Sequence, residues 1–238
     1  MANIIDFHSH ILPKADHGSD SSAMTFRQIE LIVYGGTNKV VATPHFYPNR
    51  HTLEQFLTRR NSCAHHLSSR LPAFSPTIYV GAEVLVCEGM EQMGGLEKLC
   101  IEGTRTILLE MPMTAWTPKL YETVEAIKEL GLEPVMAHID RYPKNEVAKL
   151  LALGVKAQVN APAFCSVLSR GHYLKLVDNG TVVAMGSDLH EAPTDGYACF
   201  KKAKKVMGEE LLALLMTNSQ KYLEGAIPLT EMFPKKED

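Results

Sequence analysis

The 238-residue chain contains no apolar run close to the roughly 20 residues that a membrane-crossing helix needs, so no span is expected. It has no basic run except a short KKED tail, and its formal net charge is -3. That balance argues against a face that grips duplex nucleic acid through its phosphates. It also lacks any CxxC pair. The five cysteines (Cys63, Cys87, Cys100, Cys165 and Cys199) are scattered and odd in number, and are expected as small buried apolar residues in a reducing cytoplasm. The opening MANIIDF lacks the basic start and long apolar stretch of a secretion signal, which again points to a cytoplasmic protein. No linker separates two halves, and no internal repeat is visible.

What the chain does have is 45% hydrophobic residues, enough for a substantial core, in an alternating order of short β-rich and longer amphipathic runs. The expected strands are NIIDF (3–7), KVVAT (39–43), TIYVGAEV (77–84), RTILLEM (105–111), EPVMAH (133–138), KAQVNA (156–161) and TVVAMGS (181–187). Helical stretches lie between them, several ending at a glycine just before the next strand, and a C-terminal pair runs from Tyr197 to Leu223. This order predicts an α/β fold: one domain over residues 1–238, built as a closed or nearly closed (β/α) barrel of seven units.

Barrel enzymes gather their chemistry at the C-terminal ends of the strands. Those ends carry Asp6, His8 and His10, then His45, Glu83, Glu110, His138 with Arg141, Asn160, and Asp188 with His190. Residues two apart on an extended segment face the same side, so both imidazoles of HSH (8–10) can reach one ion, and DLH (188–190) follows the same geometry. Glu110 sits in the apolar run LLEMP, where a carboxylate is costly unless it is paired with a cation or an arginine such as Arg141. Taken singly, Asp16 and Asp20 read as turn residues in a glycine-containing loop. The whole set at successive strand ends predicts a multinuclear metal site.

The motifs DFHSHILPKADHGSDS, TPHFYP, GAEV, LLEMP, AHIDRY, QVNA and GSDLH span residues 6–190 in one order. With them the sequence resembles the PHP (polymerase and histidinol phosphatase) superfamily, and most closely its bacterial manganese-dependent protein tyrosine phosphatases of capsular and exopolysaccharide synthesis. The resemblance implies a distorted seven-stranded barrel holding three divalent ions, manganese first, with iron or zinc as alternatives. It implies a first ion on His8, His10, Glu83 and Asp188, and a second on the shared Glu83 with Glu110 and His138. A third would take Asp16, His45 and His190. Arg141 would grip the substrate phosphate and, with His45 and His190, form the catalytic set. The reaction implied is hydrolysis of phosphotyrosine in protein by water that the ions activate, with a polysaccharide-synthesis tyrosine kinase as partner.

Three positions depart from that pattern. His17 stands where a second aspartate is usual, and Asp140 occupies the place of a proline and glutamate before Arg141. Asp195 falls near an expected phosphate-binding arginine, which makes the substrate class less determined; Lys201 or Lys202 are the cations available to replace it. Tyr47, Phe46 and Trp116 are candidates to line the mouth. The alternatives are a PHP phosphoesterase acting on a small metabolite such as histidinol phosphate or a nucleotide, and a metal-dependent amidohydrolase. Against the latter, no strand-four lysine is placed for carbamylation. A regulatory domain with a vestigial site is disfavoured because every ligand position is filled. The C-terminal helices, with ELLALLM and SQKYLEGAIP, are expected to cover the barrel or to present a stripe for a homo-oligomer.

Overall fold

The computed structural model describes residues 4–192 and 197–234, and in them short buried strands alternate with helices. The order begins β1 (Ile5–Ser9), α1 (Ser22–Tyr34), β2 (Lys39–Ala42), β3 (His45–Phe46) and α2 (Leu53–Ser68). It continues β4 (Thr77–Val80), β5 (Glu83–Leu85), β6 (Thr106–Glu110), α3 (Pro118–Glu129), β7 (Glu133–Met136) and α4 (Lys144–Ala152). It ends β8 (Lys156–Asn160), α5 (Ala161–Cys165), α6 (Arg170–Asp178), β9 (Val182–Gly186), α7 (Ala198–Lys221) and α8 (Leu229–Met232).

Local chemistry sets these boundaries. Ser21 caps α1 by accepting from Met24 N, and Thr52 and Gln55 close a reciprocal capping box at the start of α2. α3 opens on Pro118, whose missing N–H would be unpaired in the first turn anyway, and stops before Gly131, which takes φ +77°.

All strand pairings are parallel, so every strand delivers its C-terminal end to one side of the fold. Among the described residues the strands form two sheets, ordered β1-β2-β4 and β3-β5-β6-β7-β8-β9. The chain itself joins them, since β2 runs on into β3 and β4 into β5. At the opposite margin Asp188 N donates to His8 O at 2.8 Å and His10 N to Leu189 O at 3.0 Å, stitching the segment after β9 to β1.

The architecture is therefore a mixed α/β fold with parallel sheets, and its strands differ in number from the seven expected. A short strand, β3, follows the second expected strand (39–43), and the third (77–84) is divided into β4 and β5. Between β2 and β3 lies Pro44, which has no N–H to offer a ladder, and Gly81-Ala82 interrupts the other run. The expected C-terminal helix pair is present as α7, bent at Gly208, where φ is 72° and ψ 176°. α5 and α8, of five and four residues, are too short to show a 3.6-residue periodicity in sequence.

One surface expectation needs correction. All five cysteines are free thiols, but Cys100 alone is buried; Cys199 is exposed and the other three are partly so. The stripe ELLALLM turns largely inward: Leu215 and Met216 are buried, and Leu211 and Leu212 pack against the core. No helix among the described residues is long and apolar enough to cross a membrane.

Candidate metal centre

Strand alternation puts Asp6 and His8 on one face of β1, and His10, one residue beyond its end, continues that side. A partner behind each histidine fixes its ring. His8 Nδ1 lies 2.7 Å from Thr43 Oγ1, and His10 Nδ1 lies 2.7 Å from Asp16 Oδ2. Asp16 is itself held by Gly18 N, which donates to Oδ1 at 2.9 Å, and by His45 N, which donates to Oδ2 at 2.9 Å. Both Nε2 atoms therefore face inward, toward Glu83 and Asp188.

Glu83, the first residue of β5 and 1% exposed, is where the imidazoles converge. His138 Nε2 is 2.6 Å from its Oε1, while His45 Nδ1, His10 Nε2 and His8 Nε2 lie 2.9, 3.3 and 3.6 Å from its Oε2. Asp188 Oδ1 is 3.3 Å from both His8 Nε2 and His10 Nε2. Glu110 extends the group, its carboxylate 3.7 Å from His45 Nδ1 and 3.9 Å from His138 Nε2.

The buried atoms His8 Nε2, His10 Nε2, His45 Nδ1, Glu83 Oε2, Glu110 Oε2 and Asp188 Oδ1 have no hydrogen-bond partner. Six orphaned acceptors and ring nitrogens in one spot would be expensive for a site built only for protein contacts. Donors about 2.1 Å from a common ion stand roughly 3 to 3.5 Å from one another, so the spacings suit divalent cations. Among the described residues four sets offer ligand atoms within 4.8 Å of one another: His8-His10-Asp188, His8-Glu83-His138, His45-Glu83-Glu110 and His10-His45-His190. The donors are mixed imidazole and carboxylate with no thiolate, the pattern of manganese, iron or zinc rather than calcium.

Electrostatics separates the two glutamates. Burial pushes Glu83 up, yet the surrounding His8, His10, His138 and His45 hold it well below the usual carboxylate range. Glu110 is displaced upward by burial and by the Glu83 carboxylate beside it. Burial likewise opposes ionisation of Asp188, but His8 and His10 outweigh it and keep it ionised. Burial and the neighbouring His10 push His190 down to about 4, so its ring is neutral with a lone pair available at ordinary pH.

Two residues here adopt the left-handed backbone that non-glycine residues rarely take: His138 at φ 31° and Asp188 at φ 53°. Each is pinned. His138 N donates to Gln158 Oε1 at 2.6 Å, and Asp188 accepts at Oδ2 from Asn160 Nδ2 at 2.9 Å. Arg141, in the short 3₁₀ turn after β7, pairs with the same Asp188 Oδ2 and leaves its own side chain 43% exposed at the mouth. Asp140 does not pair with Arg141; its Oδ1 accepts from Asn160 N at 2.8 Å.

The structure thus brings together His8, His10, His45, Glu83, Glu110, His138, Asp188 and His190, with Arg141 at the rim. Asp16 lies at the edge, hydrogen-bonded to His10 and His45 and outside the four sets. His17 is exposed, and its ring stacks 4.7 Å from that of His45. Phe46 is not at the mouth: it is wholly buried against Phe56, because residues 45 and 46 of a strand point to opposite faces. Tyr47 does reach the site, stacked 5.0 Å from His45. Lys201 is committed elsewhere, its Nζ 3.5 Å from the centre of the Tyr34 ring. Asp195 lies outside the described residues.

Thr43 and Gln158 are the supporting residues that sequence reasoning passed over. Both were within reach: Thr43 is two before His45, and Gln158 is two before Asn160 on the same strand face.

Known proteins share this chain's sequence pattern and fold. Residues 4–224 match the family model described as capsular polysaccharide synthesis, CpsB/CapC. A tyrosine-protein phosphatase CpsB from Streptococcus agalactiae is 24% identical over 164 residues, covering 66% of this chain and 68% of the relative. The Streptococcus pneumoniae protein of the same name is 26% identical over 169 residues with the same coverage. Among solved structures, one from a study of Bacillus subtilis YwqE and S. pneumoniae CpsB, described as unique metal-dependent tyrosine phosphatases, superposes with TM-score 0.73. It shares 21% identity and covers 94% of this chain and 96% of its own. A β-aspartyl dipeptidase from Fervidobacterium islandicum AW-1 shares the fold at TM-score 0.53 and 13% identity, over 93% of this chain and 72% of that one.

Proposed function

The chain belongs to the CpsB/CapC family of capsular polysaccharide synthesis, and from that premise we propose that it is a metal-dependent phosphatase that hydrolyses phosphotyrosine in protein. The observation that carries this reading is the convergence of four imidazoles on Glu83, with orphaned donor atoms around it, in a chain whose relatives are named tyrosine-protein phosphatases. The reading extends to one domain arranged as a distorted seven-unit barrel, in which β2 with β3 and β4 with β5 each count as one unit. The contacts between β1 and the segment after β9 support that closure.

His8, His10, Glu83 and Asp188 would hold a first cation, and Glu83, Glu110 and His138 a second. His45 and His190 would hold a third, with Asp16 beside them. Manganese is the ion proposed, and the cytoplasm the compartment. Such ions supply acidified water near neutral pH and neutralise charge on phosphoryl oxygens.

The protein's own groups do the rest. Arg141 presents a planar, permanently charged fork at the mouth, suited to bidentate contact with two non-bridging oxygens of the phosphate. Asn160 and Arg141 share Asp188 Oδ2, so the phosphate grip and the floor of the site are one hydrogen-bonded unit. His190, its side chain 26% exposed and its ring kept neutral by burial and His10, stands at the rim, and with His45 and Arg141 completes the proposed catalytic set. The phosphoprotein substrate would be the polysaccharide-synthesis tyrosine kinase that such a phosphatase opposes.

The test is a side-by-side assay of a phosphotyrosine peptide, histidinol phosphate and nucleotides with the manganese-loaded protein. Preference for the peptide is expected. Preference for a small metabolite would replace the substrate assignment while leaving phosphate-ester hydrolysis in place.

A further inference from the structure

Immediately after Glu110 the chain reads MPMTAW, and this loop folds back on itself. The Trp116 indole N–H donates to Pro112 O at 2.8 Å, which stands the ring on edge over the next strand's loop. There it meets Tyr142 edge to face, ring centres 5.1 Å apart at 68°. Tyr142 is in turn fixed, its hydroxyl accepting from Met111 N at 3.1 Å. Between these loops lies a cavity of about 350 Å³ whose walls include Met113, Trp116, Tyr142 and Arg141. Met113 is 74% exposed at its lip.

Arg141 belongs to both spaces. It lines the cavity and it pairs with Asp188 on the floor of the metal centre. A phosphate gripped by Arg141 must direct its ester substituent away from the buried cluster, and the neighbouring opening is this cavity. We infer that the Met113-Trp116-Tyr142 cavity is the subsite for the aryl ring of an aryl phosphomonoester, an inference that rests on the phosphatase reading above. The walls suit that occupant. Trp116 and Tyr142 are held in place and offer ring edges and faces for aromatic contact, and Met113 is an adaptable, polarisable cover. The volume is ample for one tyrosyl ring and gives a small alkyl phosphate nothing to fill it.

The test uses the manganese-loaded protein with p-nitrophenyl phosphate as reporter, and two inhibitors: phenylphosphonate, which carries a ring, and inorganic phosphate, which does not. Met113→Ala and Trp116→Ala should each raise the inhibition constant of phenylphosphonate about tenfold and leave that of phosphate unchanged. Trp116→Phe should restore most of the loss. Met113 is exposed, so its variant folds whatever Trp116 contributes to the loop. Inhibition constants that move together, or that do not move, would overturn the subsite. Wild-type protein that hydrolyses no phosphomonoester at all would instead overturn the phosphatase reading, and the subsite with it.

Discussion

The hydroxyl of Tyr197 donates to Oδ2 of Asp6 at 2.9 Å, tying the start of α7 to β1 two residues before His8. Asp6 is completely buried; its other oxygen accepts from Ser187 N at 2.8 Å, and burial pushes its carboxyl up to about 6. The Tyr197 hydroxyl also meets Thr37 Oγ1 at 3.0 Å. One phenol thus holds together β1, the end of α1 and the strand-to-helix passage after β9.

Tyr197→Phe should therefore cost about 1–3 kcal/mol, the usual penalty for leaving a buried acceptor without its donor. Urea denaturation would measure it, and a midpoint equal to the wild type would show that the bond contributes nothing net.

Chelation should act on both activity and stability. Removing divalent ions should abolish p-nitrophenyl phosphate hydrolysis and lower the melting temperature, and added manganese should restore both. At a hundredfold excess over its dissociation constant, one such ion stabilises the fold by about 2.7 kcal/mol. Activity and melting temperature that survive exhaustive chelation would contradict a metal centre.

Arg141→Ala and Glu110→Ala should fail differently. The arginine variant loses charge-assisted hydrogen bonds to phosphate, of about 1.5–3 kcal/mol, and should show KM raised tenfold or more with kcat less affected. The glutamate variant should lose turnover and part of its bound metal while its circular dichroism remains native. A wild-type KM in the first would remove Arg141 from the phosphate site.

Gly18→Ala probes the loop that supports His10. A β-carbon there would lie 2.3 Å from His10 Cβ and 2.7 Å from His10 O, with Asp16 Oδ1 at 3.0 Å. The histidine must shift, and overpacking of this kind typically costs about 1–3 kcal/mol. Metal content and kcat should both fall at least tenfold. Full metal occupancy in this variant would show that the loop tolerates the displacement.

Much of the site was legible in the sequence because its chemistry is carried by charged and imidazole side chains at strand ends. HSH declares itself by two-residue spacing, and Glu110 by its incongruity among leucines. Thr43 and Gln158 did not stand out, since a neutral polar residue in a strand carries no sign of what it will orient. The Tyr197 bond to Asp6 joins residues 191 apart in sequence and has no local signature at all. In the fold, strand order and helix placement followed from periodicity. The extra strand β3 and the division of the third expected strand at Gly81-Ala82 did not, because strands of two and three residues are too short to show an alternation in sequence.

Glu83 meets rings contributed by residues 8, 10, 45 and 138, and further anions come from residues 110 and 188. During synthesis on the ribosome, then, this set of donor atoms stays incomplete until residue 188 has emerged. A fragment that stops before residue 188 therefore lacks the carboxylate that both HSH imidazoles face, and cannot assemble the proposed cation site however well its strands form.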